Sequence, residues 1–441
     1  LKKRLFLSAL ALTAVASFGV AAQDTTAVYG DLLPDAPALA ARGEYSVGVQ
    51  TLNLVNPGQV DINNLSETNP DAVYDRPLTI DVWYPAIIPA DAAELTTYES
   101  QLGRADAGDV EPFTFQGRAF RDALPNAEGG PFPLVIVSHG FPGSRYMMTY
   151  LTENLASKGY IVAAIDHTDS TFADAGNFFS TLMNRALDQN FVLNEIATLG
   201  AAEEGFLSGL VNADNTAIIG YSMGGYGALN AAGAGYNSVL QGFLPAIEPR
   251  MAGNADYAAS LDTRIKAIVV FAPWGGDLSA FGLPGVGFWD PEALGGITVP
   301  SLWIAGELDD VAGYDAIVSL FDNAVNSERY LLTYENALHN VAPNPPPAVV
   351  RNFGDYERYS EPAWDEARIN NINQHFVSAF LAQYLLGEDN SSYLQPAVEN
   401  ANDGVFSVDE AGSPTADNTY WAGFLNRTAT GMSLRYVAAG E

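Results

Sequence analysis

At 441 residues, 48% of them apolar, the chain is long enough to bury a large core and too apolar to be disordered. Its 52 acidic residues against 20 basic ones leave a formal charge of −32, which repels nucleic acid and anionic membranes and disfavours both as partners. There is no cysteine, which excludes a disulfide framework, a lipid-modified cysteine and a cysteine nucleophile.

Lys2, Lys3 and Arg4 precede an apolar run from Leu5 to Val20, and Ala21 and Ala22 follow it. This reads as a signal peptide over residues 1–22, with a mature chain starting near Gln23 and exported to the periplasm or the medium of a bacterium. The run falls short of the ~20 apolar residues that span a bilayer, so no stable membrane anchor is expected after cleavage. The lysines are Lys2, Lys3, Lys158 and Lys266 alone, and an acidic, lysine-poor surface of this kind suits a saline habitat.

Residues 23–44, rich in Ala, Pro and Asp, read as a mobile arm. Tyr45 to Leu52 and Leu78 to Tyr84 alternate apolar with polar residues and predict two antiparallel strands. The polar, turn-rich stretches Asn56 to Asp75 and Pro89 to Pro131 read as surface excursions. From Phe132 the pattern changes to continuous apolar runs, Leu134 to Val137 and Tyr160 to Asp166, separated by a helical stretch from Met147 to Lys158. Such runs fit strands buried on both faces of a parallel sheet. A helical spacing from Leu182 to Leu199 leads to Ala217-Ile218-Ile219, and further strands are expected at Ile265 to Phe271, Pro300 to Ala305 and Tyr330 to Tyr334. A long amphipathic helix is expected from Ala363 to Leu386. The expected architecture is one α/β domain over residues 23–441, with a mostly parallel doubly wound sheet, an antiparallel N-terminal edge, and lid-like insertions near 86–131, 170–181, 235–263 and 275–296.

Gly220-Tyr221-Ser222-Met223-Gly224 is a G-x-S-x-G pattern between the strand at Ala217 and a run of small, helix-compatible residues. A serine hydroxyl needs a histidine to take its proton, and the histidine needs a carboxylate to fix its tautomer. Of the four histidines, only His339 and His375 follow Ser222. His375 lies within a predicted helix, where histidines mostly pack or cap, so His339 is the candidate base. Asp309 follows the strand that ends at Ala305 and is the preferred acid, with Asp310 in reserve. The backbone N–H of Met223 and that of Phe141, in the turn Ser138-His139-Gly140-Phe141, are the candidate oxyanion donors.

Several spaced motifs carry a family resemblance: Arg76 to Pro85, Val137-Ser138-His139-Gly140, Gly159 to His167, Asn184 to Asp188, the elbow itself, and Ile372-Asn373-Gln374-His375-Phe376. Together they resemble the bacterial esterases related to platelet-activating-factor acetylhydrolase and the dienelactone-hydrolase-like group. The resemblance implies an α/β-hydrolase fold and a serine carboxylester hydrolase. Two departures matter. The animal acetylhydrolases place their acid after the strand next to the elbow, where this chain has Phe271-Ala272-Pro273-Trp274 and no carboxylate, which moves the acid to Asp309. Dienelactone hydrolases proper use a cysteine, which this chain lacks.

Gly220 to Gly225, Ala272-Pro273-Trp274 and Ala337 to Asn344 are also similar to the cutinase-type polyester hydrolases. That similarity implies that Trp274 and Phe141 flank the bound ester. The insertion Gly275 to Gly296, with Phe281, Phe288 and Trp289, and the excursion Gly235 to Thr263 are expected to roof the site, with those aromatics lining it or belonging to the core. The leading expectation is hydrolysis of short-acyl or small aromatic esters, with no cofactor and no metal; a polymeric ester or a phospholipid ester is the alternative substrate. A non-catalytic binding protein on a hydrolase scaffold is the alternative of another class, and the intact order Ser222, Asp309, His339 speaks against it.

Overall fold

The computed structural model describes residues 28–441, so the signal peptide expected at 1–22 and the start expected near Gln23 lie outside the described residues. An 11-stranded sheet runs through them. Its long strands are β1 (Ser46–Val60), β2 (Val73–Ile87), β3 (Phe132–Ser138), β4 (Ile161–Asp166), β5 (Val211–Tyr221), β6 (Ile265–Phe271), β7 (Ser301–Gly306), β8 (Arg329–Tyr334) and β9 (Met432–Val437). They lie in the order β9-β8-β7-β6-β5-β3-β4-β2-β1, and the short strands Phe120–Arg121 and Leu124–Pro125 pair with β1 and β2.

The strands from β4 across to β8 run parallel, while β1 and β2 form the antiparallel edge that their alternating sequences predict. Every residue of β3, β7 and β8 is buried, as continuous apolar runs require when helices cover both faces. The far edge differs from expectation. β9 pairs antiparallel with β8, and its buried Met432 and Leu434 alternate with more exposed residues, a period-two signal that the polar stretch before it obscures.

The helices are α1 (Thr149–Ser157), α2 (Phe178–Ala201), α3 (Met223–Ala231), α4 (Tyr314–Asn323) and α5 (Glu366–Leu381), with shorter turns between. Asn177 caps α2 by accepting the N–H of Phe179 at 3.1 Å, so the end of the insertion expected at 170–181 is the first turn of this helix. Asp365 caps α5 in the same way through Arg368 N–H. Among the described residues no helix is long and apolar enough to cross a membrane.

Two expectations need correction. The stretch 89–131 is only partly a surface excursion: it folds a hairpin, Thr96–Leu102 against Glu111–Gly117, and buries Tyr98 completely. Trp83 Nε1–H donates to Tyr98 Oη at 2.7 Å, and Tyr98 O–H donates to Glu153 of α1 at 2.6 Å, a polar chain that ties hairpin, sheet and helix together. The arm, where it is described, is packed. Leu33 N–H donates to Asn371 Oδ1 at 2.9 Å, Leu39 N–H to His375 Nδ1 at 3.1 Å, and Lys158 Nζ to Leu39 O at 2.6 Å. The polar side chains of α5 are buried and must find partners, and the arm's backbone supplies them.

Candidate active site

The carboxyl ends of β3, β5, β7 and β8 carry the residues that converge, as in open α/β sheets generally. Between β5 and α3, Ser222 is held at φ 52°, ψ −111°, a strained conformation for a residue with a side chain. The glycines at 220 and 224 make that turn possible. A Cβ on Gly220 would lie 2.3 Å from the Gly224 carbonyl, and one on Gly224 would lie 2.0 Å from Ser138 O. The Ser222 backbone is pinned on both sides, its N–H donating to Phe271 O at 2.9 Å and its carbonyl accepting from Tyr226 at 3.0 Å and Trp274 at 3.2 Å.

His339, in the loop after β8, has Nε2 3.0 Å from Ser222 Oγ and Nδ1 2.8 Å from Asp309 Oδ2. Asp309 follows β7, and its other oxygen accepts the N–H groups of Val311 at 2.9 Å and Ala312 at 2.7 Å. Burial works to raise the Asp309 pKa, but the adjacent imidazole and these donors outweigh it and hold the carboxyl below its usual range. Asp310 lines the neighbouring cavity, while Asp309 is the residue that faces the His339 ring.

The His339 loop is fixed by a residue that no motif singles out. Glu361 accepts the N–H of Leu338 on one oxygen and that of Asn340 on the other, each at 2.6 Å, so it brackets the histidine. Burial pushes its carboxyl up to about 7 against those two donors. Tyr221 adds a second support: its ring centroid lies 5.3 Å from that of His339, and its hydroxyl donates to Asn340 Oδ1 at 2.9 Å.

The N–H of Met223 opens α3, where no carbonyl of its own helix can accept it. Phe141 follows Gly140, and a Cβ on Gly140 would approach Ser222 Cβ to 3.4 Å, so the turn passes directly over the serine. Neither N–H donates to another described residue.

A cavity of about 740 Å³ opens beside Ser222 and His339. Phe141 and Tyr221 line it, and its outer wall is the segment from Phe353 to Pro362, whose polar sequence reads as a surface loop. The wall expected from 235–263 and 275–296 is not part of it. Phe288 and Trp289 sit in the core, with Trp289 Nε1–H on Ala234 O at 3.0 Å and its ring against Tyr226 and Tyr236. Trp274 and the exposed Phe281 instead form an aromatic face with Phe178, whose ring lies 5.5 Å from Trp274, 6.3 Å from Phe281 and 5.1 Å from Phe141.

Behind the Phe141 turn lies a second row of the same three residue types. Ser138 Oγ is 2.8 Å from His167 Nε2, and His167 Nδ1 is 2.8 Å from Asp188 Oδ2. Arg76 clamps Asp188 with Nε at 2.8 Å and Nη2 at 2.9 Å. All four are buried. Burial and the nearby Arg185 push the His167 pKa down to about 3. For Asp188 burial is outweighed by Arg76, leaving it at about 2. The histidine is therefore neutral, donating from Nδ1 to the carboxylate and accepting the Ser138 O–H at Nε2. Arg185 Nη1 then reaches His139 O at 2.8 Å, so the buried charges hold the turn that carries Phe141.

A family model described as PET hydrolase-like matches residues 122–245, which include the Phe141 turn and the elbow but end before Asp309 and His339. Cutinase est1 of Thermobifida alba is 26% identical over 219 residues, covering 49% of this chain and 56% of its own length. Cutinase est2 of the same organism is 25% identical, covering 49% and 55%. The chain thus spans about half the length of the curated relatives it matches. Among solved structures, a ferulic acid esterase from Streptomyces cinnamoneus superposes with a TM-score of 0.50 at 21% identity, over 80% of this chain and 94% of that one, and shows the shared fold. With the strand order, the elbow and these similarities together, the chain has an α/β-hydrolase fold and is similar, over part of its length, to the PET hydrolase-like and cutinase esterases.

Proposed function

We propose that this chain is a serine ester hydrolase of polyester-type substrates, working outside the cytoplasm. The observation that carries the reading is the row Ser222–His339–Asp309, spaced at 3.0 and 2.8 Å on a nucleophile elbow. In this mechanism His339 Nε2 takes the Ser222 proton as Oγ attacks the ester carbonyl. The oxyanion forms between the N–H groups of Met223 and Phe141. Collapse expels the alcohol with the proton from His339, and water, activated by the same nitrogen, releases the acid from the acyl-serine. Asp309 keeps the imidazole in the required tautomer and stabilises its cation.

The polyester reading, the alternative to the small esters that the sequence favours, draws its support from the PET hydrolase-like match and from the cutinases among the relatives. The aromatic face that Phe178 and the exposed Phe281 form over the buried Trp274, beside the site, would give a chain segment somewhere to lie. The test is acid release from an aliphatic polyester film alongside hydrolysis of 4-nitrophenyl butyrate, for the wild type and Ser222→Ala. Wild-type activity on both, lost in the variant, is the expected result. Activity on the soluble ester alone would return the reading to small esters, and activity on neither would end the hydrolase assignment.

A further inference from the structure

Carboxylates outnumber cations, 52 to 20, yet among the described residues Arg185, Arg250, Arg329, Arg351, Arg358 and Arg427 form no ion pair with one, and of these Arg358 is the one at the cavity beside Ser222. Arg42, Arg76, Arg118, Arg145 and Arg264 all hold a carboxylate. Arg358 lines the cavity beside Ser222 and His339, and among the described residues it makes no hydrogen bond and no ion pair. Its Nε is buried without an acceptor. Asp310 and Glu357 line the same cavity, yet neither neutralises the guanidinium, although either would be the obvious partner.

We propose that Arg358 is a carboxylate-binding residue of this cavity, which therefore takes esters that also carry a free carboxylate. The proposal rests on the serine-hydrolase reading and names the substrate class of that site. A guanidinium offers two parallel N–H donors that match the two oxygens of a carboxylate, and a partly buried one gains most from such a partner. Without it the carboxylates of Asp310 and Glu357 would repel an anionic ligand. The cavity, at about 740 Å³, is large enough for a small acyl group, and Ser222 and Arg358 both line it. Cleavage of a diacid polyester leaves fragments that end in a carboxylate, so short fragments would bind better here than an uncut chain.

Two measurements test this. The first compares kcat/KM for mono-4-nitrophenyl glutarate with that for 4-nitrophenyl valerate, which lacks the second carboxylate. The ratio is expected to fall at least tenfold in Arg358→Gln, mainly through KM, and to recover in part in Arg358→Lys. The second titrates benzoate and benzamide into Ser222→Ala by calorimetry, which needs no turnover. Benzoate should bind at least tenfold more tightly than benzamide, and that preference should vanish in Ser222→Ala/Arg358→Gln. An unchanged kinetic ratio, or benzoate binding that ignores Arg358, overturns the proposal. If wild type hydrolyses neither ester, the hydrolase reading fails by itself, and the benzoate titration still decides whether Arg358 binds carboxylates.

Discussion

Ser222–His339–Asp309 and Ser138–His167–Asp188 have the same composition and nearly the same spacing, 3.0 and 2.8 Å in one and 2.8 and 2.8 Å in the other. Their surroundings differ in every respect that matters to chemistry. The first serine sits on a strained turn at the edge of a cavity, with two backbone N–H groups beside it and a carboxylate that answers to the histidine alone among side chains. The second is sealed in the core, its carboxylate is shared with Arg76, and its histidine is held far below the pKa at which it could accept a proton from serine near neutral pH. A Ser–His–Asp row is thus a set of parts, and its use depends on access, on the nearby donors and on what else claims the acid.

The serines should separate the two rows most widely. Ser222→Ala is expected to lower kcat by about 10⁶, as for removal of a triad nucleophile, whereas Ser138→Ala should cost less than tenfold. A fluorophosphonate should label Ser222 only. Labelling at Ser138 in the folded protein would mean that the second row is open to substrate.

The aspartates come next. Asp309→Asn should leave the melting temperature nearly unchanged and lower kcat by roughly 10⁴ through the wrong histidine tautomer. Asp188→Asn should act on stability instead, since it leaves the buried Arg76 with only the longer ion pair to Asp169 at 3.4 Å, at a cost of up to about 3–5 kcal/mol. Denaturant melts beside kinetics on both variants check this, and a folding defect in Asp309→Asn with full activity in the survivors would reverse the comparison.

The smallest effect is on pH dependence. The His167 pKa in the fold is depressed, so the unfolded chain binds the proton first as acid is added. Stability from the neutral, buried ring is complete above pH ~6.5 and is lost as the pH falls towards about 3. Glu153 and Glu361, both raised to about 7, work in the opposite sense, so the contribution must be read as a difference. The advantage of wild type over His167→Gln should shrink by about 1.4 kcal/mol per pH unit below pH ~6 in denaturant melts. An advantage that is flat with pH would show that His167 is already charged in the fold.

Much of this architecture is written locally. The inner strands announce themselves as unbroken apolar runs, and the elbow needs only five residues, because the glycines that permit it must be adjacent to the serine. His339 and Asp309 follow from their order after Ser222 and their positions just past strands. The rest depends on pairs far apart in the chain. Arg76 and Asp188 are 112 residues apart, and Asn340 and Glu361 are 21 apart with no motif linking them. The aromatics show the same limit in another form. Phe288 and Phe281 belong to one insertion and look alike in sequence, yet one is core and the other exposed, a difference set by which surface the loop folds onto.

The docked arm has a consequence for how the molecule assembles. Leu33 and Leu39 find their partners 338 and 336 residues downstream, on α5. Contacts of that separation close a loop as long as the domain, so they form late and gain nothing from local order. During synthesis the arm emerges early and must wait until almost the whole sheet is built before it has anything to bind. It should be the last piece to gain protection from hydrogen exchange during refolding and the first to lose it, leaving the buried polar face of α5 exposed in whatever intermediate comes before.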